Sequence, residues 1–263
     1  MDPLFRWAGS KKKLLSSIKA RLPKDYRTYH EPFCGSACLF FDVLPRKAVL
    51  SDMNTDLMQA YSEIKNSPKS VFECLKRMEI SESEYYKVRG LDTKQLSPSE
   101  RAARFIYLNK LCFNGVYRTN KNGQFNVPMG TKTGKLPDLA TLSEYSKALK
   151  DVDLRSSDFE DMLVNVRKYD LVYLDPPYSK PGTRKRGEYG PNSFNYTDID
   201  RLVEILRKID KKNAFFILSY SDCEVIRDAL TDDWNIQSVS VRRHVAGFSA
   251  HRRVVEEIIV SNF

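Results

Sequence analysis

The feature that most constrains this chain is the tetrapeptide Asp175-Pro176-Pro177-Tyr178, set directly behind the apolar segment 170–174. That segment reads as a buried strand, and two prolines end its ladder and stiffen the turn beyond its C-terminal end. In open α/β sheets this end is where ligands bind. A carboxylate, a backbone carbonyl and an aromatic face delivered there together suit a particular chemistry. The nitrogen of an aryl amine is a poor nucleophile, because its lone pair is delocalised into the ring. The Asp175 carboxylate and the Pro176 carbonyl would accept its two hydrogens and draw it towards tetrahedral geometry, while Tyr178 offers a stacking face for a base. Asp175, Pro176, Pro177 and Tyr178 are therefore the candidate catalytic residues.

The rest of the chain reads as a sheet built around that turn. Ser10 is placed to cap a helix carrying Leu14, Leu15, Ile18 and Leu22, which Pro23 ends. Residues 29–33 form a short strand that runs into Cys34-Gly35-Ser36 and a helix over 37–43. A second strand over 47–51 leads at once to Asp52 and Asn54. This order of strand, glycine turn, helix, strand and acid belongs to a doubly wound nucleotide-binding sheet. From 57 to 145 helical patterns dominate, with Ser97, Pro98 and Glu100 supplying a cap, a first-turn proline and a capping-box acid. This block reads as an inserted lobe between residues 1–56 and 146–263. The sheet resumes with 170–174, a basic, Gly- and Pro-rich mobile loop over 179–195, an amphipathic helix over 198–209, and strands over 215–219 and 253–262.

Two further segments carry ligand chemistry. One glycine in Glu31-Pro32-Phe33-Cys34-Gly35-Ser36 is compatible with a plain turn. Asp52, 17 residues beyond Gly35, turns it into a nucleotide-binding pattern whose acid grips ribose hydroxyls. Phe5-Arg6-Trp7-Ala8-Gly9-Ser10-Lys11 pairs an aromatic face for a sulfonium or adenine with a lysine in the first turn of a helix, beside which an anion would be welcome. The turn 112–118, followed by Phe125-Asn126-Val127-Pro128, mixes aromatic, amide and arginine side chains suited to base edges and base steps.

Composition narrows the setting. A net charge of +9 fits a polyanion partner, and equally a solvated basic surface. The longest apolar runs, 37–41 and 214–218, are far too short to span a bilayer, and the N-terminus shows no secretory pattern. Five cysteines, an odd and low count, point to reduced thiols in a cytoplasm. His30, Cys34 and Cys38 make no metal spacing, and no nucleophile–base signature is visible, so no metal is expected.

Taken together, these segments resemble the Dam-type family of DNA adenine-N6 methyltransferases over nearly the whole chain, in the order cofactor half, target-recognition lobe, catalytic half. Residues 5–11 are similar to the family's aromatic-Trp-Ala-Gly-Gly-Lys opening, with Ser10 in place of the second glycine. Residues 31–35 resemble its EPF-x-G turn, 51–54 its acid-asparagine segment, 108–118 and 123–130 its LN…NG…R and FNVP-x-G signatures, and Ser157-Asp158-Phe159 the segment beside the cofactor adenine. The resemblance implies a Rossmann-like S-adenosylmethionine-dependent methyltransferase sheet with an inserted helical target-recognition lobe at 57–145. It implies S-adenosylmethionine at Trp7, Lys11, Phe33, Gly35, Asp52, Asp158, Phe159 and Asp175, and double-stranded DNA at Arg6, Phe113, Asn114, Val116, Arg118 and Pro128. A flipped adenine as methyl acceptor and a cognate restriction nuclease as genetic partner follow from it as well. Members that read GATC carry aromatics within and after FNVP, where this chain has Met129 and Thr131-Lys132-Thr133, and the tail 244–248 is closer to members reading other sites. The alternatives are an enzyme using the same tetrapeptide on RNA adenine or cytosine N4, and a DNA-binding regulator that has lost catalysis.

Overall fold

The computed structural model of the chain describes residues 1–178, 194–195, 197–230, 233–244 and 252–263. The basic loop read over 179–195 lies outside the described residues except for its last two, and so does 245–248 of the tail.

Seven strands form one mixed sheet in the order β3-β2-β1-β4-β5-β7-β6. After a 3-10 turn at Lys11–Lys13, helix α1 (Leu15–Lys19) leads to β1 (Tyr29–Glu31), α2 (Cys38–Val43) and β2 (Ala48–Asp52). Five helices follow: α3 (Thr55–Asn66), α4 (Pro68–Lys76), α5 (Glu82–Gly90), α6 (Pro98–Leu111) and α7 (Leu139–Leu149). The chain then runs through β3 (Val152–Ser156), α8 (Phe159–Leu163), β4 (Leu171–Leu174), α9 (Asp198–Lys211), β5 (Phe215–Ser221), α10 (Glu224–Ala229), β6 (Asn235–His244) and β7 (Arg252–Ser261). Strands β1 to β5 are parallel to one another, while β7 runs antiparallel to both β5 and β6. The winding reverses between β1 and β4, which places a crevice at their carboxyl ends.

Alternation along the strands covers both faces of the sheet. Tyr29, Leu50, Leu171, Tyr173, Ile217 and Ile259 face one cluster. Val172, Leu174, Phe216, Leu218, Ile258 and Val260 face the other, packed on Leu202, Leu206 and Ile209 of α9. The helices of 57–145 share the first of these clusters, since Leu57, Tyr61, Ile106 and Leu142 belong to it with Tyr29 and Leu50. Their ends are set locally. Asn54 accepts from the Leu57 N–H, Ser97 and Glu100 close a reciprocal capping box, and Asp138 accepts from the Thr141 N–H.

One local expectation needs correction, and two strands carry no signal in the sequence reading. Ser10 makes no side-chain cap, because its hydroxyl faces that of Ser36 and the first turn is 3-10, so the α-helix starts only at Leu15 and ends before Leu22. β3 and β6 escape the hydrophobic pattern. β3 is an edge strand with mixed exposure, and β6 exposes Ile236 while burying Val241. Edge strands have only one covered neighbour, so their apolar signal is diluted.

Candidate active site

The carboxyl ends of β1, β2 and β4 open into one cavity of about 370 Å³, which the 7–11 segment also lines. Trp7, Lys11, Phe33, Gly35, Asp52, Asp175, Pro176, Pro177 and Tyr178 all line it, although they come from four separate stretches of sequence. Gly35 holds φ +47°, and a Cβ there would lie 2.6 Å from the Trp7 indole, so both the conformation and the close approach demand glycine. Asp52 ties this turn to β2. Its Oδ2 accepts the Gly35 N–H at 3.0 Å and its Oδ1 accepts the Asn54 N–H at 2.9 Å. Burial raises its carboxyl above the ordinary value, and these two N–H donors pull it back. A carboxylate offers about four acceptor positions, so two remain for a diol.

Lys11 is buried, and its ammonium pairs with the Asp175 carboxylate, donates to the Gly9 carbonyl at 3.2 Å and lies 4.7 Å from the centre of the Tyr178 ring. The Tyr178 hydroxyl in turn donates to Glu257 Oε2 at 2.6 Å, and its ring packs against Tyr220 at 5.1 Å. Phe159 is set behind Phe33, with centroids 5.1 Å apart, so it backs the cavity wall. Asp158 caps α8 through the Glu160 N–H and pairs with Arg201 at 2.7 Å. Among the described residues no group of three or more His, Cys, Asp or Glu side chains is arranged to hold a metal ion.

One cavity residue carries no role in the sequence reading. Glu31, 2% exposed, accepts the Tyr29 hydroxyl at 2.7 Å and lines the cavity. Burial pushes its carboxyl up to about 8, against the Tyr29 hydrogen bond and with help from the neighbouring Asp175 and Asp52 charges. It therefore holds its proton to a higher pH than an ordinary carboxyl does. The signal available in sequence was an acid closing a short strand directly before the glycine turn.

The residues expected to meet DNA gather on a second feature. Residues 112–129 fold back on themselves through bridges between Cys112 and Met129 and between Thr119 and Phe125. Phe113, Asn114 and Pro128 are exposed at this hairpin, and Asn114 adopts the left-handed region at φ 54°. Val116 is half-buried. Arg118 is braced along one edge, Nε donating to Asn126 Oδ1 at 2.8 Å. Arg6 is used internally: its Nη1 donates to the carbonyls of Lys110 at 3.1 Å and Cys112 at 3.4 Å, supporting the hairpin from beneath. Tyr117, unremarked in sequence, joins hairpin and cavity by stacking on Trp7 at 5.8 Å and donating to Asp56 at 2.9 Å.

Comparison with known proteins identifies relatives over nearly the whole chain. A Type II methyltransferase, M1.LlaDCHI, of Lactococcus lactis subsp. cremoris is 34% identical, covering 100% of this chain and 96% of its own. The Type II methyltransferase M.MjaIII of Methanocaldococcus jannaschii is 35% identical, covering 100% and 99% respectively. A DNA adenine methylase of Salmonella typhi is 30% identical over 97% of this chain and 93% of its own. The model of one family matches residues 7–245. The chain belongs to that family, the D12 class of N6 adenine-specific DNA methyltransferases.

Proposed function

We propose that the cavity at the ends of β1, β2 and β4 is where the methyl group passes, and that Asp175, Pro176, Pro177 and Tyr178 form its catalytic wall. The observation that carries this is the convergence of Asp175, Tyr178, Gly35 and Asp52 on one cavity. S-adenosylmethionine is the donor, and its sulfonium supplies an already activated methyl group. The residues present fit it: an acid with spare acceptor positions at Asp52, a glycine-only approach at Gly35, and aromatic walls at Trp7 and Phe33. Phe159 supports Phe33 from behind, and Asp158 fixes the start of α8 beside them.

What this chain's own groups do is hold an amine. The Asp175 carboxylate and the Pro176 carbonyl accept its hydrogens and direct its lone pair, and the Tyr178 ring carries the base. Lys11 balances the Asp175 charge while the site waits. The site thus acts by positioning and by preorganised charge.

The acceptor strand is double-stranded DNA in this reading, gripped by the hairpin. Phe113, Asn114 and Pro128 are its exposed edge, Val116 and Arg118 its reading face, and Arg6 its brace. Residues 57–145 serve as the target-recognition region inserted between 1–56 and 146–263. A cytoplasmic enzyme with a cognate restriction nuclease suits the Type II names of its relatives, and no helix among the described residues is long and apolar enough to cross a membrane. The test is methylation by the purified protein of duplex DNA against RNA of the same sequence, with labelled S-adenosylmethionine and mapping of the modified bases. Methylated adenine in duplex DNA is the expected product, and absence of turnover would leave only a DNA-binding role.

A further inference from the structure

We infer that Glu257 is a positioning residue for Tyr178, fixing the place of the ring on which the target base stacks; this rests on Tyr178 being that ring. Glu257 is 1% exposed in β7, opposite Ser221 of β5 and Val239 of β6, and is followed by the fully buried Ile258, Ile259 and Val260. An acid buried in such a strand is costly unless hydrogen bonds hold it. Its Oε2 takes the Tyr178 hydroxyl at 2.6 Å, at the short end of such bonds.

Tyr178 needs an anchor of this kind. It follows two prolines and belongs to no strand or helix, so no ladder sets the direction of its side chain. Tyr220 stands beside the ring at 56° to it, and the Lys11 ammonium lies over it. Both contacts act on the ring near its middle and oppose its turning about the Cβ–Cγ axis. The hydroxyl lies on that axis, so the hydrogen bond there holds the far end of the side chain against swinging about the Cα–Cβ bond. A stacking surface that swings displaces the base from the approach that transfer requires. The antiparallel strand β7 thereby reaches, from 79 residues away, into the geometry of the reaction.

The experiment uses the full chain and compares Glu257→Ala, Glu257→Gln, Tyr178→Phe, Tyr178→Ala and the double variant Glu257→Ala/Tyr178→Phe. Single-turnover methylation of duplex DNA is measured together with S-adenosylmethionine affinity and melting temperature. Glu257→Ala and Tyr178→Phe should each slow transfer about three- to tenfold with cofactor affinity held, since both remove the same anchor but leave the ring. Glu257→Gln, whose amide oxygen still accepts, should stay within about twofold of the parent. The double variant should be no slower than either single one, as expected for two members of one interaction. Additive losses, or unchanged rates for both single variants beside an inactive Tyr178→Ala, would overturn the role of Glu257. Full activity of Tyr178→Ala would instead remove the stacking role itself, and with it the inference. Should Glu257→Ala fail to fold, Tyr178→Phe and Glu257→Gln still decide the matter.

Discussion

Lys11 and Asp175 form an ion pair inside the cavity, with side-chain exposures of 5% and 18%. Breaking such a pair from one side leaves a poorly solvated charge, which costs far more than the pair is worth. Asp175→Ala should therefore lose methyl transfer by orders of magnitude, through loss of an acceptor aimed at developing charge. It should also lower the melting temperature, through the stranded ammonium. The double variant Lys11→Met/Asp175→Asn should recover part of that stability without recovering activity. Single-turnover rates and thermal unfolding separate the two effects, and near-normal turnover of Asp175→Ala would end the proposed mechanism.

Asp52 does two jobs, since it ties Gly35 and Asn54 together and is proposed to hold the ribose of the cofactor. Asp52→Ala should weaken S-adenosylmethionine binding without DNA by about 1–3 kcal/mol, the worth of hydrogen bonds to a charged group. Asp52→Asn, which keeps one acceptor, should lose less. Calorimetry showing unchanged affinity for both variants would take Asp52 out of the site.

Glu31 makes stability depend on pH in an unusual direction for an acid. Its folded value, about 8, lies above the ordinary carboxylate value of 4.5. The folded state therefore binds more protons than the unfolded state between those two limits, and stability falls as pH rises through that window. Below about 4.5 the contribution is fully present, and above about 8 it is gone. Glu31→Gln should remove this dependence, so its melting temperature relative to the parent should improve from pH 5 to pH 9. A parallel pair of curves would place Glu31 in a different protonation state from the one argued.

Arg118 tests whether the hairpin reads sequence. Its bond to Asn126 orients the guanidinium and leaves further donors for a base edge. Arg118→Ala should cost about 1–3 kcal/mol of discrimination at one base pair and admit near-cognate sites. Asn126→Ala should blunt the same discrimination more weakly, through a loosened guanidinium. Arg184 and Arg186 belong to the basic loop read over 179–195, whose charges suit phosphates, so neutralising them should instead weaken binding to all sequences and flatten its salt dependence. Methylation rates on single-base-substituted duplexes at two salt concentrations distinguish these outcomes. An unchanged ranking after Arg118→Ala would mean that the hairpin grips DNA without reading it.

What the sequence by itself determined is the local chemistry. The two prolines after 171–174, the glycine before α2 and the Ser97 capping box act through covalent neighbours, so each was legible where it stands. Short strand-like runs likewise marked β1, β2, β4, β5 and β7, whose strands lie inside the sheet with both flanks covered. The tertiary structure alone decided the partners. Lys11, read as a residue for the cofactor, faces Asp175, and Arg6, read as a residue for DNA, turns its guanidinium onto the carbonyls of Lys110 and Cys112. Glu31 becomes a buried cavity wall whose carboxyl is shifted upward, and Glu257 finds Tyr178 across the sheet. The edge strand β6 emerged only from its pairing with β7. The physical reason is common to all of them. A side chain's partner and its dielectric surroundings depend on which strands the topology sets side by side, and no periodicity along the chain encodes that order.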